Sequence, residues 1–468
     1  MSQLLQQLAQ YTQDFPTRIA LQDHTLSLTY AELLPAIEHK AVQLREASCR
    51  VLGIMLDNSV DWVLWDLATV ACGVVCVPLP AFFTAQQRQH VVQSAGIDHL
   101  ITPQALLATG VTPSPAILAR TSKITFTSGT TGTPKGVCLS QQGLEQVAAS
   151  LVQVIGAEHA GQHLSVLPLA ILLENVAGIY SALLAGATCH LYGLATLGMA
   201  NPFQPDFAQL VGLLKQQRIS SAILVPELLR GLLYTLHVSG VKLPDLQFLA
   251  VGGSKVDASL LQQAQALGLP LYEGYGLSEC GSVVALNTPA AQRVGAVGKV
   301  LPHLQYACVE GEIVIQNPAF LGYLGLPQQG AFATGDLGYV DPDGFLHING
   351  RKKNLLITSF GRNISPEWVE SVLLSQPEIA QAIVFGDAQP YLTALLVPSA
   401  LLHGQTDVNT QHLLNAALLR VNERLPDYAH VQVFHVIPLL NLADGTLTGT
   451  GRPRREVIAQ QYTALLHS

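Results

Sequence analysis

"KITFTSGTTGTPKGVCLSQQ", residues 123 to 142, begins as an apolar strand, dissolves into Ser, Thr and Gly, and reaches a single cation at Lys135. Gly129 and Gly132 let the backbone take conformations closed to other residues and approach a ligand closely. Thr127, Ser128, Thr130, Thr131 and Thr133 set hydroxyl donors beside backbone N–H groups, and with Lys135 the loop suits a polyphosphate. It is not the P-loop pattern GxxxxGK[ST], because Pro134 stands five residues after Gly129 and Gly136 follows Lys135. By composition alone a flexible Ser/Thr/Gly turn accounts for the stretch equally well, so order and companions must decide.

Working outward, the chain of 468 residues exceeds one ordinary core, and its composition of 49% hydrophobic and 12% charged residues excludes disorder. A net charge of -8 without any basic run argues against nucleic acid as a partner. Seven scattered cysteines with no CxxC pair predict reduced core residues in a cytoplasmic protein, not a disulfide framework or a zinc site. Leu4, Leu5, Leu8 and Tyr11 lie at helical spacing in an N-terminus without a basic region, which reads as an amphipathic helix and not a signal peptide. Residues 175 to 205 lack Asp, Glu, Lys and Arg, but repeated Gly, Asn175, His190 and Pro202 predict a buried helix and strand, with no membrane span.

Before the quoted stretch, strand-like and helix-like pieces alternate. IALQ and LSLTY form a hairpin, Thr29 with Glu32 and Thr84 with Gln87 make capping boxes, and RVLGIML and VVCVPL read as buried strands around the helix DWVLWDLATVACG. Residues 102 to 115 read as a surface connection. After it come the strands HLSVLPL (163 to 169), AILVP, LQFLAVGG and LPLYEGYG. The pattern predicts an α/β fold of parallel-type sheets sandwiched by helices. YVDPDGFLHINGR reads as an antiparallel hairpin, and beyond it Ser365 as N-cap and Pro366 at the first helical position open a smaller α+β unit. The expected division is a large domain over 1–349, a hinge at 350–353 and a small domain over 354–468.

The ten-residue string TSGTTGTPKG resembles the phosphate-loop signature of the adenylate-forming superfamily, which includes acyl-CoA synthetases, adenylation domains of peptide synthetases and beetle luciferases. Further matches follow in the same order: AVGGS with Gly252, Gly253 and Ser254; EGYGLSE with Glu273, Gly274, Tyr275, Gly276, Ser278 and Glu279; TGD ending at Asp336; GRKKN with Arg351; and LTGTGRPRR with Arg452. The resemblance spans nearly the whole chain. It implies a small barrel-like lobe in the large domain and a mobile C-terminal lid turning about Lys353. It also implies that Tyr275 stacks on adenine, that Asp336 and Arg351 hold the ribose, and that Ser278 faces the α-phosphate. Thr130 and Glu279 are the implied magnesium ligands, and Lys135, Ser278, Glu279 and Arg452 the implied catalytic set. The residue types suit these roles, with an aromatic face for a heterocycle, a carboxylate for two hydroxyls and a hard oxygen for magnesium.

Several positions depart from the pattern. Arg452 stands where efficient members usually have lysine, and a planar fork is no point charge. In LPLAILLEN, Glu174 matches the segment LPL-x-H-x-x-E-R of long-chain acyl-CoA synthetases near the pocket entrance, but Ile171 replaces the His and Asn175 the Arg. Gln141 replaces a common His. The apolar replacements favour an apolar acid without an amino group. His163, His190 and His303 have no Ser or Cys beside them in a nucleophile context and read as ordinary surface or core residues.

The resemblance implies ATP-dependent activation of a carboxylic acid, a fatty acid foremost, to an acyl-adenylate, with loss of pyrophosphate. Transfer to the thiol of CoA or of a carrier protein's phosphopantetheine arm then follows, with the loop at 359 to 364 presented to that thiol. Two alternatives stay open: an adenylation enzyme that loads a carrier protein with an acyl, aryl or amino acid, and a catalytically weak nucleotide- or acyl-binding relative in which Arg452 cannot replace lysine.

Overall fold

The strands Thr121–Thr127 and Lys135–Ser140 pair antiparallel, in a register that sets Thr127 opposite Lys135. The computed structural model describes residues 2–127, 134–200, 205–402, 404–448 and 451–466; Ser128, Gly129, Thr130, Thr131, Gly132 and Thr133 lie outside them. Ile124, Val137, Cys138 and Leu139 are buried, so the apolar side chains flanking the Ser/Thr/Gly run anchor both of its ends. Ser140 caps the next helix, Gln141–Ile155, by accepting from the Gly143 N–H. Only glycine fits at 143, where a Cβ would lie 2.7 Å from that of Ala319.

This pair belongs to an eight-stranded sheet in which Val51–Ile54 runs parallel to Val75–Pro78 and to His99–Ile101. Both predicted capping boxes are present, at Thr29/Glu32 and Thr84/Gln87. The stretch expected to be a plain surface connection adds an edge strand, Leu106–Ala108, against His99–Ile101. Its three residues are half-exposed or exposed, so no alternating apolar pattern announced it.

A nine-stranded sheet packs beside the first. Its centre is parallel, with Gln162–Leu164, Ser221–Leu224, Phe248–Val251 and Leu271–Leu277 as neighbours. The strand expected over 163 to 169 ends at Leu164, because beyond it the Leu167 and Leu169 N–H groups bond to the side chains of Glu174 and Asn58 instead of a ladder. The charge-free stretch continues the π-helix Leu173–Tyr180 and forms the helix Ser181–Leu184 and the strand Thr188–His190, all largely buried, while Pro202 lies outside the described residues. Among the described residues no helix is long and apolar enough to cross a membrane.

Four antiparallel strands, Tyr306–Val309, Glu312–Ile315, Phe332–Val340 and Leu346–Arg351, make a smaller sheet. Asp341 closes its hairpin by accepting from the N–H groups of Asp343 and Phe345. Beyond Arg351 the strands Ile379–Phe385, Leu392–Pro398 and Val431–Val436 form a three-stranded sheet covered by Pro366–Leu374 and Asp407–Asn422, with buried clusters of its own. The architecture is thus mixed α/β, a large part with two major sheets and a smaller C-terminal part.

Candidate active site

Five segments distant in sequence meet at one cleft. Tyr275 lies on the strand Leu271–Leu277, and its hydroxyl donates to Asp336 Oδ2 at 2.6 Å. Arg351 ends the neighbouring hairpin strand, opposite Asp336 in register, and its Nε reaches Asp336 Oδ1 at 2.8 Å. Asp336 is 3% exposed, so these two donors fix its orientation. A carboxylate has about four lone-pair sites, and acceptor capacity for two vicinal hydroxyls remains. Burial, and then the Asp336 charge, push the Tyr275 hydroxyl well above its usual range, so it stays a donor.

Glycines shape this wall. A Cβ at Gly276 would overlap the Ser282 carbonyl at 1.8 Å, and Gly253 takes a φ of +92°. Asp257, which caps the helix Ala258–Ala266, is held through both oxygens by Arg424 at 2.9 Å, tying the C-terminal part to the loop around Gly253. Arg452 crosses from the same part and donates to the Gly253 carbonyl. Crowding by the protein, and then the Arg351 charge, lower its pKa, while Asp336, Glu227 and Glu279 oppose the shift. More than a third of its surface still meets solvent. The Thr448 N–H donates to the Arg452 carbonyl at 2.7 Å, and the Arg452 N–H donates to the Thr448 hydroxyl oxygen, Oγ1, at 3.0 Å.

Glu279 follows the strand as part of a 3-10 turn, Ser278–Cys280, and is partly exposed. Tyr323 donates to Glu279 Oε1 at 2.7 Å, and Lys135 Nζ lies 5.8 Å from the centre of the Tyr323 ring. The half-exposed carboxylate is a hard oxygen donor of the type magnesium takes, and so it fits that ion. Thr130, its expected companion, lies outside the described residues.

Glu273 and Glu174 sit elsewhere. Glu273 is 8% exposed beneath the 252–256 loop, where burial pushes its carboxyl up to about 7 against the pull of Lys255. Lys255 in turn donates to the Ile348 carbonyl at 3.0 Å. Glu174, expected near a pocket entrance, is fully buried: its oxygens take His163 Nε2 at 3.0 Å and the Leu167 N–H at 2.9 Å. His163 has a serine neighbour, but in the core and not in a nucleophile context. Its Nδ1 lies 3.0 Å from Ser221 Oγ, but that hydroxyl also donates to the Ala160 carbonyl, and all three side chains are buried, so the chain is a core network.

Two of the other departures, Asn175 and Gln141, likewise bond to partners within the protein. Asn175 joins a buried cluster in which Lys123 pairs with Asp66 at 2.8 Å and Tyr180 donates to Asp66 at 2.9 Å. Gln141 bonds Ser122 and Glu145, and Glu145 accepts from the first N–H groups of the N-terminal helix Gln3–Asp14. Tyr323, Lys255 and His90, whose Nε2 meets the Pro134 carbonyl at 3.1 Å next to the Ser/Thr/Gly run, were missed from sequence. Tyr323 alone had a signal, an aromatic after glycine in FLGY.

One group of metal-type donors, Cys49, Asp98 and His99, has ligand atoms within 4.8 Å of one another. Asp98 there accepts from the Arg50 and Val51 N–H groups and organises the start of a strand. A cavity of about 350 Å³ lies in the C-terminal part, lined by Thr358, Phe360, Arg362, Tyr391, Tyr428 and His430 among others.

Residues 8–123 and 113–324 match the AMP-binding enzyme family, and residues 353–468 match the AMP-binding enzyme C-terminal domain. A long-chain-fatty-acid–CoA ligase, FadD15, of Mycobacterium bovis is 33% identical over 240 residues, a match that covers 46% of this chain and 40% of that protein. A 2-succinylbenzoate–CoA ligase of Bacillus licheniformis is 27% identical over 482 residues, covering 93% of this chain and 96% of the relative. Among solved structures, o-succinylbenzoate CoA synthetase of Bacillus subtilis in complex with its acyl-adenylate intermediate shares the fold at a TM-score of 0.77 and 24% identity, over 96% of this chain and 97% of that one. An anthranilate CoA ligase with anthranoyl-AMP superposes at 0.83 and 17% identity, over 100% and 98%. With family matches along nearly its whole length, the chain belongs to the AMP-binding enzyme family of the adenylate-forming superfamily.

Proposed function

We propose that the protein is an AMP-forming acid–thiol ligase that activates an apolar carboxylic acid with ATP. The observation that supports this most is the meeting of Tyr275, Asp336, Arg351 and Arg452 around Gly253, since one donor set there serves both a nucleoside and its α-phosphate. In this reading Tyr275 offers its ring to adenine while its hydroxyl stays fixed on Asp336, and Asp336 with Arg351 holds the ribose. Gly253, Ser254, Gly274 and Gly276 let the backbone come close. Ser128, Gly129, Thr130, Thr131, Gly132 and Thr133, with Thr127 and Lys135, take the departing pyrophosphate.

Glu279 and Thr130 would hold magnesium, which neutralises triphosphate charge when bound. The acid's carboxylate oxygen attacks the α-phosphorus in line, the bond to the pyrophosphate oxygen breaks, and Ser278 and Arg452 donate to the α-phosphate oxygens. Catalysis is then chiefly positioning and electrostatics. The C-terminal part, 354–468, turns about the 350–353 hinge, withdrawing Arg452 and bringing the 359–364 loop to the site. The thiol sulfur attacks the acyl carbon and AMP leaves. The aromatic and basic cavity beside that loop supports CoA, or a carrier protein's pantetheine arm, as acceptor.

Pyrophosphate release with ATP, magnesium and a panel of fatty, aryl and amino acids tests the reading, with fastest release expected from an apolar acid. ATP binding without release from any acid would sink it in favour of a nucleotide-binding relative. Arg452→Ala should slow release far more than Arg452→Lys; equal rates for all three proteins exclude a role for that side chain.

A further inference from the structure

Lys135 and Glu279 carry opposite charges in one cleft, and Tyr323 contacts both. It ends the strand Phe320–Tyr323, which pairs antiparallel with Lys135–Ser140 and sets Tyr323 opposite Val137. The Phe320 ring packs edge-on against it at 4.8 Å. From this fixed base the hydroxyl donates to Glu279 Oε1 at 2.7 Å, and Lys135 Nζ stands 5.8 Å from the ring centre. Among the described residues, Tyr323 is the only hydrogen-bond donor to Glu279.

A neutral donor on one oxygen aims a carboxylate without neutralising it. A lysine ion pair would aim it too, but would cancel the charge that a divalent ion needs and tie up the cation that a polyphosphate needs. A ring face gives Lys135 a weaker resting place that phosphate oxygens readily outcompete. We propose, resting on the ligase reading above, that Tyr323 is a positioning residue: it holds Glu279 by Oε1 so that Oε2 is presented to the divalent ion arriving with ATP, and it keeps Lys135 out of an ion pair with Glu279.

The test is calorimetric titration of the full chain with α,β-methylene-ATP, which cannot form an adenylate, in Mg2+ and in EDTA. Tyr323→Phe keeps the ring and its packing, so its thermal midpoint should match the native one. Its gain in affinity on adding Mg2+ should fall about tenfold, the scale of one charge-assisted hydrogen bond, while affinity in EDTA stays within about twofold of native. Glu279→Gln should lose the same gain, and adding Tyr323→Phe to it should change nothing further. A native-sized Mg2+ gain in Tyr323→Phe, or an equal loss in the Glu279→Gln background, overturns the positioning role alone. A native protein that binds no analogue overturns the ligase reading, and the proposal with it.

Discussion

Glu174 and Glu279 were both singled out by motif, yet the protein treats them oppositely. Glu174 lies in the first turn of the π-helix with no solvent exposure and both oxygens bonded, to His163 and to the Leu167 N–H. Glu279 is partly exposed at a turn, and Tyr323 holds one of its oxygens. The same contrast separates Asp66, sealed in with Lys123, Asn175 and Tyr180, from Asp336, which is just as buried but shares its oxygens with side chains that line the cleft. A carboxylate whose acceptor sites are met by the protein holds the core together; one with acceptor capacity left over is available to a ligand.

The sealed side of this contrast breaks most visibly at Asp66. Asp66→Ala leaves the Lys123 ammonium buried without its counter-charge and should destabilise the protein by about 3–5 kcal/mol, read from urea unfolding. An unchanged midpoint would show that the cluster is no structural clamp. On the open side, Glu279→Gln should slow pyrophosphate release about 100-fold, or about 2.7 kcal/mol in the barrier, with an unaltered unfolding midpoint. If the variant loses stability instead, Glu279 belongs with Glu174.

Glu273 lies between the two classes, sealed but beside the cleft. Its folded pKa of about 7 exceeds the ordinary 4.5, so the folded state takes up a proton that the unfolded chain has already released. It therefore favours folding at low pH, and that contribution declines as pH rises from about 4.5 to about 7, by about 3 kcal/mol in all. Urea midpoints from pH 5 to 8 should fall for the native protein and run flatter for Glu273→Gln; parallel slopes would mean that Glu273 is ionised throughout. The smallest effect is expected at Glu174→Gln, about 1 kcal/mol, since the amide oxygen still accepts one of the two bonds. A loss of activity larger than the loss of stability there would move Glu174 to the open class.

Much of the fold was legible because local physics agreed with tertiary need. Both capping boxes and the hairpin at Asp341 formed where side chains near in sequence satisfy backbone groups, and the helix at Pro366 opens where the ring's fixed φ suits the first helical position. Leu106–Ala108 and the early end of the strand at Leu164 were not legible, because an edge pairing and a side-chain acceptor replaced the expected pattern. At the site, Tyr275, Asp336 and Arg351 could be named from motif order, but Tyr323 and Lys255 could not, since each acts through a partner tens of residues away or more.

By itself the sequence determined the family, the alternation of strands and helices, and which polar residues stand in phosphate-type and ribose-type motifs, because these depend on residue type and short spacing. Only the tertiary structure decided which of those residues face a cleft. Whether a carboxylate is sealed or open depends on donors delivered by other strands, so Glu174 and Glu279 could be told apart only after the chain had folded around them.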